Sequence, residues 1–202
     1  MRNYLIWRVL LYLRFWAKVA LFIGRPYVIG IAGSVGKSST RNALAAVLSE
    51  HFKTKVVAGN SETGVPLGIL GLELSSYSNK EWLSLIYRSP RAILNLRKTQ
   101  YLIVEMGIDD PYPPKNMSYL LTIVKPHMAI DLNATATHTM QFEKLLSRHT
   151  KDSLEFILGK IADEDSKIIT NGLTKVGIYN KDDLRLRERI EKKTTKATWA
   201  VI

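Results

Sequence analysis

Between Tyr27 and Glu50 an apolar run, a glycine-rich turn and a helical pattern follow one another without a gap. Tyr27-Val28-Ile29-Gly30-Ile31 reads as a short buried strand, and Ser38 to Glu50 as a helix. The turn between them is contained in Gly30-Ile31-Ala32-Gly33-Ser34-Val35-Gly36-Lys37-Ser38-Ser39. A strand, a glycine loop and a helix in that order form a cradle for phosphate. Gly33 and Gly36 let backbone N–H groups turn inward, and the helix N-terminus adds a field that favours anions. Ser34, Val35 and Ser39 supply the rest of the loop. Lys37 would neutralise the β- and γ-phosphates of ATP, and the Ser38 hydroxyl would ligate Mg²⁺. The loop departs from the strict G-x-x-x-x-G-K-[ST] pattern, because position 31 is Ile and the glycines fall at 30 and 33. A glycine-rich turn with a chance lysine is the competing reading.

The remaining chain repeats the alternation. Lys55–Val57, Tyr101–Val104, His127–Leu132, Val176–Tyr179 and Thr198–Ile202 read as strands. Val65–Leu74, Lys80–Leu96 with a break near Pro90, Asn116–Val124, Ser153–Glu164 and Asp183–Lys192 read as helices. The pattern predicts an α/β fold: a P-loop-type, mostly parallel sheet with helices on both faces. Ligands then sit at the carboxyl ends of the strands.

Charge sets the first segment apart. The first 49 residues hold seven Lys and Arg and no acid, in a chain of net charge +11. Residues 4–22 read as a helix with Arg8, Arg14 and Lys18 on about one third of its circumference. Three cations argue against a spanning helix, since each costs ~3 kcal/mol near the bilayer centre. Two readings stand: an amphipathic helix lying on a membrane surface, or a helix packed on its own domain or a partner. Residues 1–24 are accordingly set apart from a domain over 25–202. The absence of cysteine fits a reducing compartment, so the expectation is a cytoplasmic protein, peripheral at the inner membrane face if the helix binds lipid. No nucleic-acid motif accompanies the basic residues, and no nucleic-acid partner is expected.

The variant loop resembles that of the Mur ligases, the ATP-dependent amide-forming enzymes of peptidoglycan synthesis, which folylpolyglutamate and cyanophycin synthetases share. Further segments match in order: Gly59-Asn60-Ser61-Glu62-Thr63-Gly64-Val65-Pro66, Val104-Glu105-Met106-Gly107, Val124-Lys125-Pro126 with Leu132-Asn133 and His138, and Val176 to Asp183. The nearest pattern is that of the branch adding D-alanyl-D-alanine to the muramoyl tripeptide, or of its neighbour adding the third amino acid. The resemblance implies an acyl phosphate made from ATP and then displaced by an amine. Its substrates would be a UDP-muramoyl-peptide-like acid and an amino acid or dipeptide. It implies Ser38 and Glu105 as Mg²⁺ ligands, His138 at a second metal, and Asn60 and Asn133 orienting loops or phosphate oxygens. A structural salt bridge is the alternative for Glu105, a carboxylate ending an apolar strand.

Two departures from the family qualify the expectation. Most members carry a carbamylated lysine in a segment like Ile161 to Lys167, where this chain has Asp165. Asp165 is expected to take over the carbamate's function, with Lys160 and Lys167 as alternatives if the alignment slips. The usual N-terminal domain is replaced by the basic helix, and the sequence stops at Ile202 before the family's adenine-contacting and C-terminal segments. It therefore reads as a fragment or truncated relative. A non-catalytic nucleotide-binding module, tethered by its first helix, is the alternative function.

Overall fold

A computed structural model describes residues 2–57, 59–74, 76, 78–137, 139–146, 153–193 and 198–201. Six strands form one sheet: β1 Tyr27–Ala32, β2 Thr54–Val57, β3 Tyr101–Glu105, β4 Met128–Asp131, β5 Val176–Tyr179 and β6 Thr198–Val201. Their order is β2-β3-β1-β4-β5-β6, and every neighbouring pair is parallel. β1 is buried along nearly its whole length, as a strand covered on both faces must be. From β1 the chain crosses to the β2 edge, returns to β3 beside β1, and then passes to β4, β5 and β6 on the other side, so the strand ends around β1 form the crevice of the sheet.

The helices are α1 Arg2–Gly24, α2 Lys37–Ser49, α3 Gly64–Leu70, α4 Asn79–Arg88, α5 Met117–Ile123, α6 Thr139–Phe142, α7 Ser153–Asp165, α8 Lys167–Thr170 and α9 Leu184–Lys193. They cover the two faces unevenly. On one face α2 lays Leu44, Ala45 and Leu48 over Ile29, Ile31, Ile103 and Ile130. The other face carries the larger core, to which α1, α3, α4, α5, α7, α8 and α9 all contribute.

Local chemistry explains the boundaries. α3 stops at Leu70, short of the expected Leu74, because Gly71 turns into the left-handed region at φ 67°. The expected break near Pro90 separates α4 from a tighter 3₁₀ turn over Arg91–Leu96. Asn116 starts α5 by accepting the Tyr119 N–H at 3.1 Å.

α1 packs on its own domain. Leu10, Leu13, Ala17 and Ala20, spaced three and four apart, are buried. They form one stripe, and the last three join the same core as Val28 and Leu102. Trp7 meets Tyr119 edge-on at 5.8 Å, Arg14 donates to Thr122 at 3.1 Å, and the Tyr12 hydroxyl donates to the Ile86 carbonyl at 2.8 Å. At the helix end a Cβ on Gly24 would lie 2.6 Å from the Leu96 Cβ, so only glycine lets the two backbones meet. The packed reading therefore holds for this face. The outward face is not polar: Tyr4, Leu11, Phe15 and Phe22 lie exposed between Arg8 and Lys18. Among the described residues no helix is long and apolar enough to cross a membrane.

Candidate functional site

The loop between β1 and α2 takes its shape from two glycines and from the segment after β4. Gly33 and Gly36 have φ of 121° and 90°, values at which any side chain would be strained. The Ser34 N–H donates to the Asn133 carbonyl at 2.8 Å and the Val35 N–H to Asn133 Oδ1 at 2.9 Å. Asn133 Nδ2 returns a bond to the Val35 carbonyl at 3.0 Å. Ser34 Oγ accepts the Thr135 N–H at 2.9 Å. Asn133 thus holds the loop in shape, with both its side-chain oxygen and its side-chain nitrogen bonded to loop backbone. No side chain caps α2, which leaves the N–H groups of its first turn for an anionic ligand. Lys37 Nζ donates to the Gly33 and Ser34 carbonyls at the rim of the loop.

Two buried carboxylates flank the end of β1. Register pairs Ile31 with Glu105 at the end of β3, and Ala32 with Asp131 at the end of β4. Glu105 is compensated: Ser38 Oγ donates to Oε2 at 3.3 Å, and Arg41 Nη1 lies 2.7 Å from Oε1. The latter is a charge contact without hydrogen-bond geometry, since Oε1 has no hydrogen-bond partner. A hydroxyl beside a buried carboxylate with an unsatisfied oxygen is an oxygen donor set of the kind Mg²⁺ uses when phosphates supply further ligands. Among the described residues no three His, Cys, Asp or Glu side chains gather into a metal site. Glu105 thus has the expected salt bridge, with the Ser38 hydroxyl beside it. His138 lies outside the described residues.

Asp131 has no hydrogen bond to either carboxylate oxygen. Burial, followed by the neighbouring Asp165 and Asp183, holds it well above the ordinary carboxylate range against the pull of Lys37. Asp165, at the end of α7, is 1% exposed. Burial pushes its carboxyl up to about 7, Glu164 and Asp183 add to this, and Lys37 and the Gly33 N–H oppose it. Asp165 shares a small cavity with Gly33, Ser34, Lys37, Asn60 and Thr137. The other two alternatives point elsewhere: Lys160 pairs with Asp163 at 3.6 Å, and Lys167 pairs with Glu164 and donates to Ser118 at 3.0 Å. Asn60 enters the same cavity, and its carbonyl accepts the Gly107 N–H at 3.0 Å. On the α2 side a cleft of about 430 Å³ runs from Val35 and Gly36 past Leu132 to Tyr179, Asn180 and Asp182. The loop, Asn60, Glu105, Asn133 and Asp165 therefore converge at one end of the sheet.

Sequence reasoning missed Arg41 and Asp131. Arg41 follows Ser38 by three positions, a helical spacing that places both over the end of β3. Asp131 closes an apolar strand just as Glu105 does, and the same argument applied to it would have marked it.

No protein-family model matches the chain. It is 31% identical over 119 residues to UDP-N-acetylmuramoyl-tripeptide–D-alanyl-D-alanine ligase of Borreliella burgdorferi, a match that covers 58% of this chain and 20% of that protein. The matched region is thus a fifth of the length of that curated relative. The fold is similar to a crystal structure of MurF from Acinetobacter baumannii, with TM-score 0.61 and 20% identity over 96% of this chain and 34% of that one. It is also similar to the MurF ligase from Thermotoga maritima in complex with ADP, with TM-score 0.56 and 19% identity over 94% of this chain and 36% of that one. FolC from E. coli in complex with DHPP and ADP matches with TM-score 0.52 and 14% identity over 94% of this chain and 46% of that one. The chain carries the fold of the Mur ligase central domain.

The raised Asp165 carboxyl has a stability consequence. The folded protein keeps this proton between pH 3.8 and about 7, where the unfolded chain has released it. The group therefore stabilises the fold fully below pH 3.8, and that contribution is lost as pH rises through about 7. Asp165→Asn, neutral throughout and still able to accept the Gly33 N–H, is expected to raise the melting temperature strongly at pH 8 and by less at pH 5. Thermal denaturation at the two pH values checks this; a variant less stable than wild type at pH 8 contradicts it.

Proposed function

We propose that this Mur-ligase-type domain binds ATP with Mg²⁺ and is the nucleotide-handling part of an ATP-dependent carboxylate–amine ligase of the peptidoglycan-precursor type. The observation that carries the reading is the uncapped start of α2 behind a loop fixed by Asn133, with Ser38 and Glu105 side by side at its mouth. Phosphoryl transfer asks a protein for positioned charge rather than covalent chemistry. The first-turn N–H groups and Lys37 would hold the β- and γ-phosphates, and the 430 Å³ cleft beside Tyr179 and Asn180 has room for the nucleoside. Ser38 and Glu105 would hold Mg²⁺, which supplies charge neutralisation between the phosphates.

The acceptor acid would approach from the opposite side, where Asn60, Asp165 and Lys37 line the cavity. Its carboxylate oxygen attacks the γ-phosphorus and ADP leaves, giving an acyl phosphate. An amine then attacks the acyl carbon, phosphate departs, and the amine loses a proton. By analogy with the family the acid would be a UDP-muramoyl peptide, and the amine an amino acid or dipeptide. Asp165 would take the part of the family's carbamate in ordering this side of the site, with His138 serving a second metal.

ADP and ATP titrations of the chain, with and without Mg²⁺, test the reading. Lys37→Ala is expected to weaken ATP by about tenfold or more, the loss of at least one charge-assisted phosphate contact. Asp165→Ala is expected to change the Mg²⁺ dependence. Undiminished ATP affinity in Lys37→Ala contradicts the site, and an unchanged Mg²⁺ dependence in Asp165→Ala contradicts its role. Phosphate release on addition of a UDP-muramoyl peptide separates the ligase from a nucleotide-binding module without catalysis.

A second reading concerns the outward face of α1, where four exposed apolar and aromatic residues alternate with Arg8 and Lys18. That composition suits the headgroup region of an anionic bilayer and would make the protein peripheral at the inner membrane face. Co-sedimentation with phosphatidylserine vesicles is expected for the full chain and lost in Phe15→Ser/Phe22→Ser, which alters only exposed positions. Equal sedimentation of both contradicts the lipid contact.

A further inference from the structure

The two carboxylates that flank β1 differ in one respect. Among the described residues Asp131 forms no ion pair, and Lys37 acts on it only from farther off, whereas Glu105 has a guanidinium 2.7 Å from Oε1. That guanidinium is built into place. Arg41 sits on α2 one turn after Lys37, and its side chain is 16% exposed. Its Nε and Nη2 both donate to Asn42 Oδ1, at 3.1 and 2.9 Å, which turns Nη1 toward the carboxylate. Ser38 engages the other carboxylate oxygen. Glu105 therefore has its hydroxyl neighbour on one oxygen and a fixed positive charge on the other, while Oε1 still lacks a hydrogen bond.

We propose that Arg41 is a positioning residue that holds and partly neutralises Glu105, and thereby sets how strongly nucleotide binding depends on Mg²⁺. The inference rests on the ATP-site reading above. Electrostatics gives its sign. A buried carboxylate without a counter-charge repels nucleotide phosphates, and a divalent cation between them removes that repulsion. With Arg41 present, part of the compensation is already supplied by the protein. Nucleotide can then bind with less help from the metal, and the metal adds less when it enters. Arg41 acts through Glu105 in this scheme and touches neither the metal nor the reacting atoms.

The test compares ADP affinity at saturating Mg²⁺ with that in EDTA, by calorimetry on the full chain. In Arg41→Gln the ratio of the two affinities is expected to rise about fivefold, the size of one close, part-buried charge pair. Arg41→Lys, which keeps the charge, is expected to keep the wild-type ratio. Adding Glu105→Gln to Arg41→Gln is expected to abolish the rise, because the uncompensated carboxylate is then gone. A purely structural role for Arg41 would weaken ADP equally with and without Mg²⁺; an unchanged or lowered ratio in Arg41→Gln overturns the proposal. So does a rise that persists in the double variant. Should Arg41→Gln not fold, a ratio in Arg41→Lys departing from wild type by the same factor overturns it, and a retained ratio supports it. The wild-type chain separates the two levels of the account. If it binds no ADP under either condition, the ATP-site reading fails and takes this inference with it. If it binds ADP with a measurable Mg²⁺ dependence that the Arg41 variants leave alone, only the inference fails.

Discussion

Asn133 fixes the loop on which the proposed phosphate site depends. A loop that carries two glycines with positive φ has many conformations open to it when unfolded, and glycine loses more freedom on folding than any other residue. Here the backbone and side chain of Asn133 together engage Ser34 and Val35 three times. The loop is thereby tied to the segment leaving β4, beside the strand that delivers it. The start of α2 stays uncapped, and Lys37, Ser38 and Arg41 project from its first turns toward the crevice. Each later feature, from the Ser38–Glu105 contact to the enclosure of Asp165, presupposes that fixed loop.

The second constraint is charge. Three acidic side chains, Glu105, Asp131 and Asp165, are buried around the end of β1, and burying a carboxylate is costly unless it is paired or neutral. The structure meets this cost in two ways. Glu105 receives Arg41 and Ser38. Asp131 has its proton affinity raised by burial, Asp165 and Asp183, and Asp165 by burial, Glu164 and Asp183, with Lys37 acting against both rises. The two solutions lie on different sides of the loop. The side facing Ser38 carries Glu105 beside Arg41, while the cavity facing Asn60 and Thr137 holds Asp165, whose carboxyl is pushed up to about 7.

Much of the fold was legible because its signals are local. Apolar runs bounded by glycine and proline gave the strands, and Gly71 and Pro90 acted where glycine and proline do. The loop was legible for the same reason, since strand, glycines, lysine and helix are contiguous. The placement of α1 was not. Its sequence has apolar residues on both faces, so periodicity alone left packing and membrane contact equally open; burial of Leu13, Ala17 and Ala20 settles the inner face and leaves Phe15 and Phe22 outside. Arg41 and Asp131 were invisible for a different reason. Their significance depends on the register of β1 with β3 and β4, which brings residues more than sixty positions apart into one site. The motif resemblance supplied Glu105, Asn60 and Asn133 as positions, and the structure supplied what Asn133 does.

The central claim is that the turn between β1 and α2 is the phosphate cradle of this chain. Backbone amide NMR of the isotopically labelled protein, titrated with ADP and Mg²⁺, tests it most directly. The account predicts that the largest saturable shifts fall on residues 33–39, with smaller ones at Glu105 and Asn133. Saturable shifts concentrated elsewhere, or none at the loop at millimolar ADP, would contradict it.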